Sequence, residues 1–293
     1  MVEQLSNEIN KPPPVIYTFY QNLEETEYDT QMTHEDDASL LQSWRAFWRR
    51  SGWEPTVLTP HGVAAKYDDD AEAFLAELAK LPFDAFQQML FTRWIAMASV
   101  GGGWLADYDV FPLRPFFDTD SAREENVFSF PNSGNLTLYE AVAPSLVSGS
   151  AEAWRVAAWA LLEDAKKNLN RDTGRSYTYW TDTLGLLNLV RESSVSSAPI
   201  VRVERRMLPG DKALNGKTLT AEDCDRRPFR NRWAVHFGPL SLQRGSIPPE
   251  LRLPKHRTTV ARHWLPIWKD LCVISKNSTS SAAPFLNADG RKY

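Results

Sequence analysis

Within its first sixty residues the chain writes a strand, a helix and a second strand, and that order constrains everything that follows. Residues 15–20, Val-Ile-Tyr-Thr-Phe-Tyr, run β-branched and aromatic side chains together without a breaker, as a buried strand does. Leu40, Leu41, Trp44, Phe47 and Trp48 then recur at helical spacing while Arg45, Arg49 and Arg50 face elsewhere, with Asp36 and Asp37 placed to cap the start. Gly52 ends this helix, and residues 54–59 read as a second short strand. A strand-helix-strand crossover is right-handed in nearly all proteins, which sets the chain on course for an α/β fold.

The remainder continues as a mixture of both element types. Residues 71–80 form a short helix behind Asp68, Asp69 and Asp70, acids that suit a solvated helix start better than a metal cluster. Residues 84–100 keep Phe86, Met89, Leu90, Trp94 and Met97 near one face, and Gly101-Gly102-Gly103 stops them. Residues 104–107 make a short strand ending in carboxylates. Strands are expected at 127–130, 136–142, 200–204 and 233–237, and helices at 152–168, 178–190 and 257–271. Trp44, Trp48, Trp94, Trp154, Trp159, Trp264 and Trp268 all occupy helical positions that suit the core rather than a sugar-stacking platform. No linker divides the chain, so one domain is expected over residues 14–274, with 1–13 a flexible amino terminus and 275–293 a flexible tail.

Composition narrows the possible partners. A chain of 293 residues with 43% hydrophobic side chains can bury about three quarters of its unfolded surface. Its 33 basic and 37 acidic side chains leave a net charge of −4, without the basic excess that nucleic acid or an anionic membrane would favour. No run reaches the roughly 20 apolar residues of a membrane span, and residues 1–14 lack the pattern of a secretory signal. Cys224 and Cys272 are too few for a disulfide framework, so a reducing, cytoplasmic setting is expected.

The chemistry concentrates in residues 93–113, RWIAMASVGGGWLADYDVFPL. In extended backbone, residues two apart share a face, so Asp107 and Asp109 can converge while Tyr108 points away. Two carboxylates held close repel unless a proton or a hard cation lies between them, and oxygen ligands suit Mg²⁺ or Mn²⁺. Such a cation can neutralise the charge that develops on a departing diphosphate. The glycines would permit close backbone approach to a ligand. Each candidate also has a plainer account. The acid pair can be a solvated turn, and Arg93 can lie over Trp94 and pair with a nearby acid. His236 can be structural, Asn135 can shape a turn beside Gly134, and Asp182 can be a helix-start acid.

At this point the sequence resembles the glycosyltransferases that carry a DXD sugar-binding region, a group including α-mannosyltransferase-like enzymes, capsular sugar transferases and glucosylating toxins. Residues 15–20 are similar to that family's opening strand, and residues 44–59, WRAFWRRSGWEPTVLT, to its next helix and strand. Residues 93–113 resemble the core motif, residues 134–137 (GNLT) the segment behind the sugar pocket, and residues 233–238 (WAVHFG) a late strand whose His closes the site. The resemblance implies a GT-A, Rossmann-like mixed sheet flanked by helices, and Mn²⁺ or Mg²⁺ held by Asp107, Asp109 and His236. It also implies a UDP- or GDP-sugar donor contacted by Thr18, Phe19, Tyr20, Arg93, Gly103 and Asn135, and transfer with retention to a glycan, protein or small molecule. Asp182 is the candidate carboxylate beside the anomeric centre, with Asp107 and Asp109 as the other catalytic acids. Leu90 stands where the family places an Asp, which motivates an alternative, a degenerate GT-A fold that binds carbohydrate or acts as a scaffold. A phosphatase with a nucleophilic DxD fits less well, because that chemistry needs the acids directly after a long apolar strand.

Overall fold

The structure is a computed structural model and describes residues 12–23, 32–114, 131–169, 180–193 and 200–274. The opening unit folds as the sequence pattern requires. Strand β1 (Val15–Phe19), helix α1 (His34–Arg50) and strand β2 (Glu54–Leu58) form a crossover in which β1 and β2 pair in parallel, Val15 opposite Glu54 and Phe19 opposite Leu58. The cap of α1 differs from expectation. Thr33 is the capping residue, Asp36 closes the reciprocal capping box, and Asp37 is left free to bond Tyr108.

After a short helix at Pro60–Ala64 come α2 (Asp69–Leu78) and α3 (Ala85–Ser99). Asp68 caps α2, and Asp68 and Asp70 both pair with Arg155, so these acids start a helix as expected. The chain then enters β3 (Gly102–Ala106) and β4 (Val110–Pro112), followed beyond residue 130 by β5 (Leu136–Glu140) and β6 (Ala143–Ser150). Helices α4 (Ala151–Leu169) and α5 (Asp182–Ser193), strands β7 (Val201–Val203), β8 (Met207–Pro209) and β9 (Ala234–His236), and helix α6 (Arg257–Trp268) follow, with short helical segments at Gly210–Ala213, Pro239–Arg244 and Lys269–Ile274. The strand expected at 127–130 and both flexible termini, 1–13 and 275–293, lie wholly or mostly outside the described residues.

Six strands form the main sheet in the order β2-β1-β3-β6-β5-β7, and β4-β9-β8 form a second, smaller sheet. In the main sheet only β6 runs against its neighbours, so β1, β2, β3, β5 and β7 end along one edge. Alternation of side chains divides the interior in two. On one face Trp44 and Trp48 of α1, Trp104, Tyr139 and Leu146 of the sheet, and Trp264 and Trp268 of α6 form one core that extends over the small sheet. On the other, Leu105, Leu138 and Val147 pack against Phe74, Phe91, Trp94, Trp154 and Leu161 of α2, α3 and α4. The result is a mixed α/β single domain with helices on both faces of its sheet. Six of the seven helical tryptophans are buried to 5% exposure or less, and Trp159 is half-buried with its indole N–H on Asp70.

The cysteines correct the expectation of free thiols: Cys224 and Cys272 form a disulfide, 48 residues apart in sequence. The triple glycine is likewise used differently. A side chain at Gly102 would meet the backbone of Ala151 at 2.5 Å, and one at Gly103 would meet the Tyr17 ring at 3.3 Å. These glycines let β3 pass close to the β6–α4 junction and to β1, which is packing within the fold rather than approach to a ligand. Among the described residues no helix is long and apolar enough to cross a membrane.

Candidate functional site

From β1 the chain moves to β2 on one side and then returns to β3 on the other. The carboxyl ends of β1 and β3 therefore flank a topological switch point, the crevice where α/β sheets of this kind bind ligands. Tyr20 follows β1 there, and its ring meets that of Tyr108 edge-on at 5.9 Å.

Asp107 is the first residue beyond β3. Its backbone N–H donates to Ser145 O at 2.9 Å, and its carbonyl accepts from the Val110 N–H at 2.9 Å, closing a tight turn. Asp109 lies across that turn and leads into β4, with its carbonyl accepting from the Phe237 N–H at 3.0 Å. The DYD segment thus crosses from the large sheet to the small one. The two carboxylates converge because the chain turns, not because an extended strand places them on one face. Tyr108 does point away, its hydroxyl donating to Asp37 at 3.1 Å and its ring lying 5.6 Å from the Arg257 guanidinium.

His236 ends β9, paired with Val110 of β4 and Pro209 of β8. Its ring occupies space that a side chain at Gly238 would take, since a Cβ there would lie 2.8 Å from His236 Nε2. His236 Nδ1 donates to Glu140 Oε2 at 2.7 Å, which turns Nε2 toward Asp109 Oδ1, 3.3 Å away. Glu140 also accepts from the Ser145 hydroxyl. Asp107, Asp109 and His236 offer one ligand atom each, all within 4.8 Å of one another.

Each acid is held from behind by an arginine. Arg93 on α3 donates to Asp107 Oδ1 at 2.9 Å, and Arg257 at the start of α6 donates to Asp109 Oδ2 at 2.7 Å. Arg93 is in turn gripped by Asp182, which accepts from Nε at 2.9 Å, from Nη2, and from the Trp94 indole N–H at 2.9 Å. Burial pushes the Asp107 carboxyl up to about 6, with the Asp109 charge adding to the shift and Arg93 opposing it, while its side chain keeps 32% of its surface exposed. Burial also acts to raise Asp109, but His236 and Arg257 outweigh it and hold this carboxyl well below the usual range. Burial would favour neutral His236, yet the charges of Asp109 and Glu140 carry it well above the ordinary histidine value.

This donor set fits a divalent cation. One oxygen of each Asp bonds an arginine, the other Asp109 oxygen faces His236 Nε2 across the gap a metal would fill, and the histidine is oriented by a carboxylate in the way metal-ligating imidazoles are. The 3.3 Å between Asp109 Oδ1 and His236 Nε2 is close to the ~3.0 Å separating adjacent ligands of an octahedral ion with ~2.1 Å bonds.

Other expected site residues fall elsewhere. Thr18 is fully buried within β1 and its hydroxyl finds no hydrogen-bond partner among the described residues, while Phe19 packs into the helix-side core, so of residues 18–20 only Tyr20 borders the crevice. Gly103 sits at the far end of β3, roughly 13 Å of strand from Asp107, and its carbonyl accepts from the Trp154 indole. Asn135 precedes β5 at that same far end, roughly 16 Å of strand from Glu140; it is exposed and donates to Asn132 O at 2.7 Å, which is the turn role. Asp182 opens α5 with 1% exposure and lies behind Arg93, so it positions that arginine rather than meeting a substrate. Sequence reasoning missed Glu140, Arg257 and Asp37. Glu140 could have been found as the acid that ends an apolar strand at the same sheet edge; nothing local marks the other two.

The family model for a domain of unknown function (DUF8765) matches residues 8–180. The chain belongs to this family. The matched span holds Arg93, Asp107, Asp109 and Glu140, whereas Asp182, His236 and Arg257 come from the chain beyond it. No curated protein and no solved structure matches the chain.

Proposed function

We propose that the protein is a metal-dependent glycosyltransferase of the GT-A type, moving a sugar from a UDP- or GDP-sugar to an acceptor with retention of configuration. One observation carries this reading: Asp107, Asp109 and His236 converge at the switch-point crevice with Glu140 fixing the imidazole. The sheet order, with parallel strands ending at that edge and one antiparallel strand beside β3, supports the Rossmann-like comparison.

Asp107, Asp109 and His236 would hold Mn²⁺ or Mg²⁺, which when bound supplies positive charge to a leaving diphosphate. The chain's own residues do the rest. Arg93 and Arg257 fix the carboxylates so that one oxygen of each faces the crevice, and Asp182 and Trp94 fix Arg93. Tyr20, braced edge-on by Tyr108, is the ring that borders the crevice and is suited to a base or sugar. The Cys224–Cys272 disulfide is of a kind that persists in oxidising surroundings, which weighs against the cytoplasmic setting.

The test is release of nucleoside diphosphate from a panel of UDP- and GDP-sugars with Mn²⁺. Turnover in the wild type that drops on the order of 100-fold or more in Asp109→Ala, with the circular dichroism spectrum retained, supports the reading. Equal turnover in that variant contradicts it. A second reading, binding without transfer, has one observation in its favour: Leu90 packs its side chain into the helix-side core where the resembling family has an acid. Tight Mn²⁺-dependent binding of a nucleotide sugar with no release across many acceptors would select it.

A further inference from the structure

On the β7 side of the main sheet lies a concavity of about 460 Å³ lined, among the described residues, by five arginines, Glu204 and Asn231. Arg205 and Arg206 come from the β7–β8 link, and Arg227, Arg230 and Arg232 from the turn before β9. Among the described residues Glu204 is the one acid that lines it, and it is already occupied: it accepts from the Asn132 side chain at 2.9 Å and lies 3.5 Å from Arg206. Arg205, Arg227 and Arg230 are exposed, and none has an acidic partner among the described residues.

The cluster is built rather than incidental. Arg232 is pinned by three backbone carbonyls, those of Pro228 (2.8 Å), Arg205 (2.6 Å) and Met207 (2.9 Å), so it cannot swing away from its neighbours. Arg206 stacks over Trp233 at 5.2 Å, and the Trp233 N–H donates to Arg206 O. Burial depresses the Arg232 pKa, and the charges of Arg205, Arg206 and Arg227 depress it further. Like charges fixed this close repel unless an anion joins them, and a concave lining focuses their field.

The position of the cluster matters as much as its charge. Arg206 donates its backbone N–H to Tyr139 O, next to Glu140, and Arg232 of the lining precedes His236 by four residues. The cleft therefore lies about 13 Å of extended chain from His236. We infer that this arginine cleft is the acceptor subsite and that it takes a sugar bearing phosphate, sulfate or carboxylate groups. Planar guanidinium forks match such oxyanions in pairs, which a neutral sugar cannot exploit. The identity of the ligand as acceptor rests on the transferase reading above, whereas its charge rests on the cleft alone.

Calorimetry on the full chain without added metal tests it. The probes are a sulfated disaccharide, a uronate disaccharide, a hexose phosphate and the neutral parent disaccharide. The expected result is binding of the charged sugars, weakening with salt, and none of the neutral one. The exposed pair in Arg227→Ala/Arg230→Ala can be removed without touching the core and should weaken binding by about tenfold or more. Asp109→Ala should leave it unchanged, so failure of the metal site and failure of the cleft are read separately. Equal binding of charged and neutral sugars, equal binding by the double variant, or binding confined to a long polyanion such as a single-stranded 20-mer would each overturn the inference.

Discussion

Asp182→Asn removes one charge from the interior without changing its shape, and the structure says what should follow. The carboxylate has 1% exposure and accepts three hydrogen bonds, two from Arg93 and one from Trp94. Only the Trp94 bond becomes neutral, since the Arg93 guanidinium keeps its charge, so the main cost is that surviving charge: breaking a buried pair by removing one partner costs about 3 kcal/mol or more. Among the described residues Arg93 would retain one acidic partner, Asp107, whose side chain is partly in solvent. For a chain of this size the loss corresponds to a fall in Tm of about 6 °C, at ~2 °C per kcal/mol. Urea unfolding at constant m-value measures it. The decisive control is Arg93→Met/Asp182→Asn, which removes the stranded cation while leaving an acceptor for Trp94. It should recover at least about half of the loss and still be impaired in Mn²⁺-dependent turnover, since Asp107 has lost its anchor. An Asp182→Asn protein within about 0.5 kcal/mol of wild type, or a double variant no more stable than the single one, would refute the reasoning.

Two further outcomes follow from individual contacts. Glu140→Gln takes the carboxylate from behind His236 and should weaken Mn²⁺ binding by about 10–100-fold in a calorimetric titration, with the fold intact; an affinity within twofold of wild type would show that Glu140 does not support the site. Cys272→Ser should cost about 4 kcal/mol, the loop-closure value for a 48-residue separation, and the unmodified protein should show no free thiol when denatured without reductant; two titratable thiols would contradict the bond.

Much of this fold is legible in the sequence because its elements are long enough for their period to show. Residues 15–20, 84–100 and 152–168 each carry an unbroken pattern, and β1, α3 and α4 lie within one or two residues of those limits at each end. The strand β6, APSLVSGS, has small and polar residues and a proline where a strand usually shows β-branched side chains, so nothing local announces it. It is buried because β3 and β5 both need a neighbour. The site divides in the same way. Asp107 and Asp109 are marked by their spacing, and His236 by the resemblance of residues 233–238 to the family's late strand. Arg257, 148 residues from Asp109, and Asp182, 89 residues from Arg93, become partners only once the sheets and helices have assembled. Gly103 misleads by its sequence proximity to the motif and Asn135 by the resemblance of residues 134–137; both sit at the wrong end of strands that run about 13–16 Å.

The central claim is that Asp107, Asp109 and His236 bind one divalent cation together. Pulsed electron paramagnetic resonance of the protein loaded with one equivalent of Mn²⁺ reads this directly. The account predicts coupling to a single imidazole nitrogen, abolished in His236→Ala, with Mn²⁺ released to the solvent in Asp107→Ala/Asp109→Ala. Mn²⁺ that remains fully hydrated in the wild type, or that keeps its nitrogen coupling when both acids are gone, would contradict it.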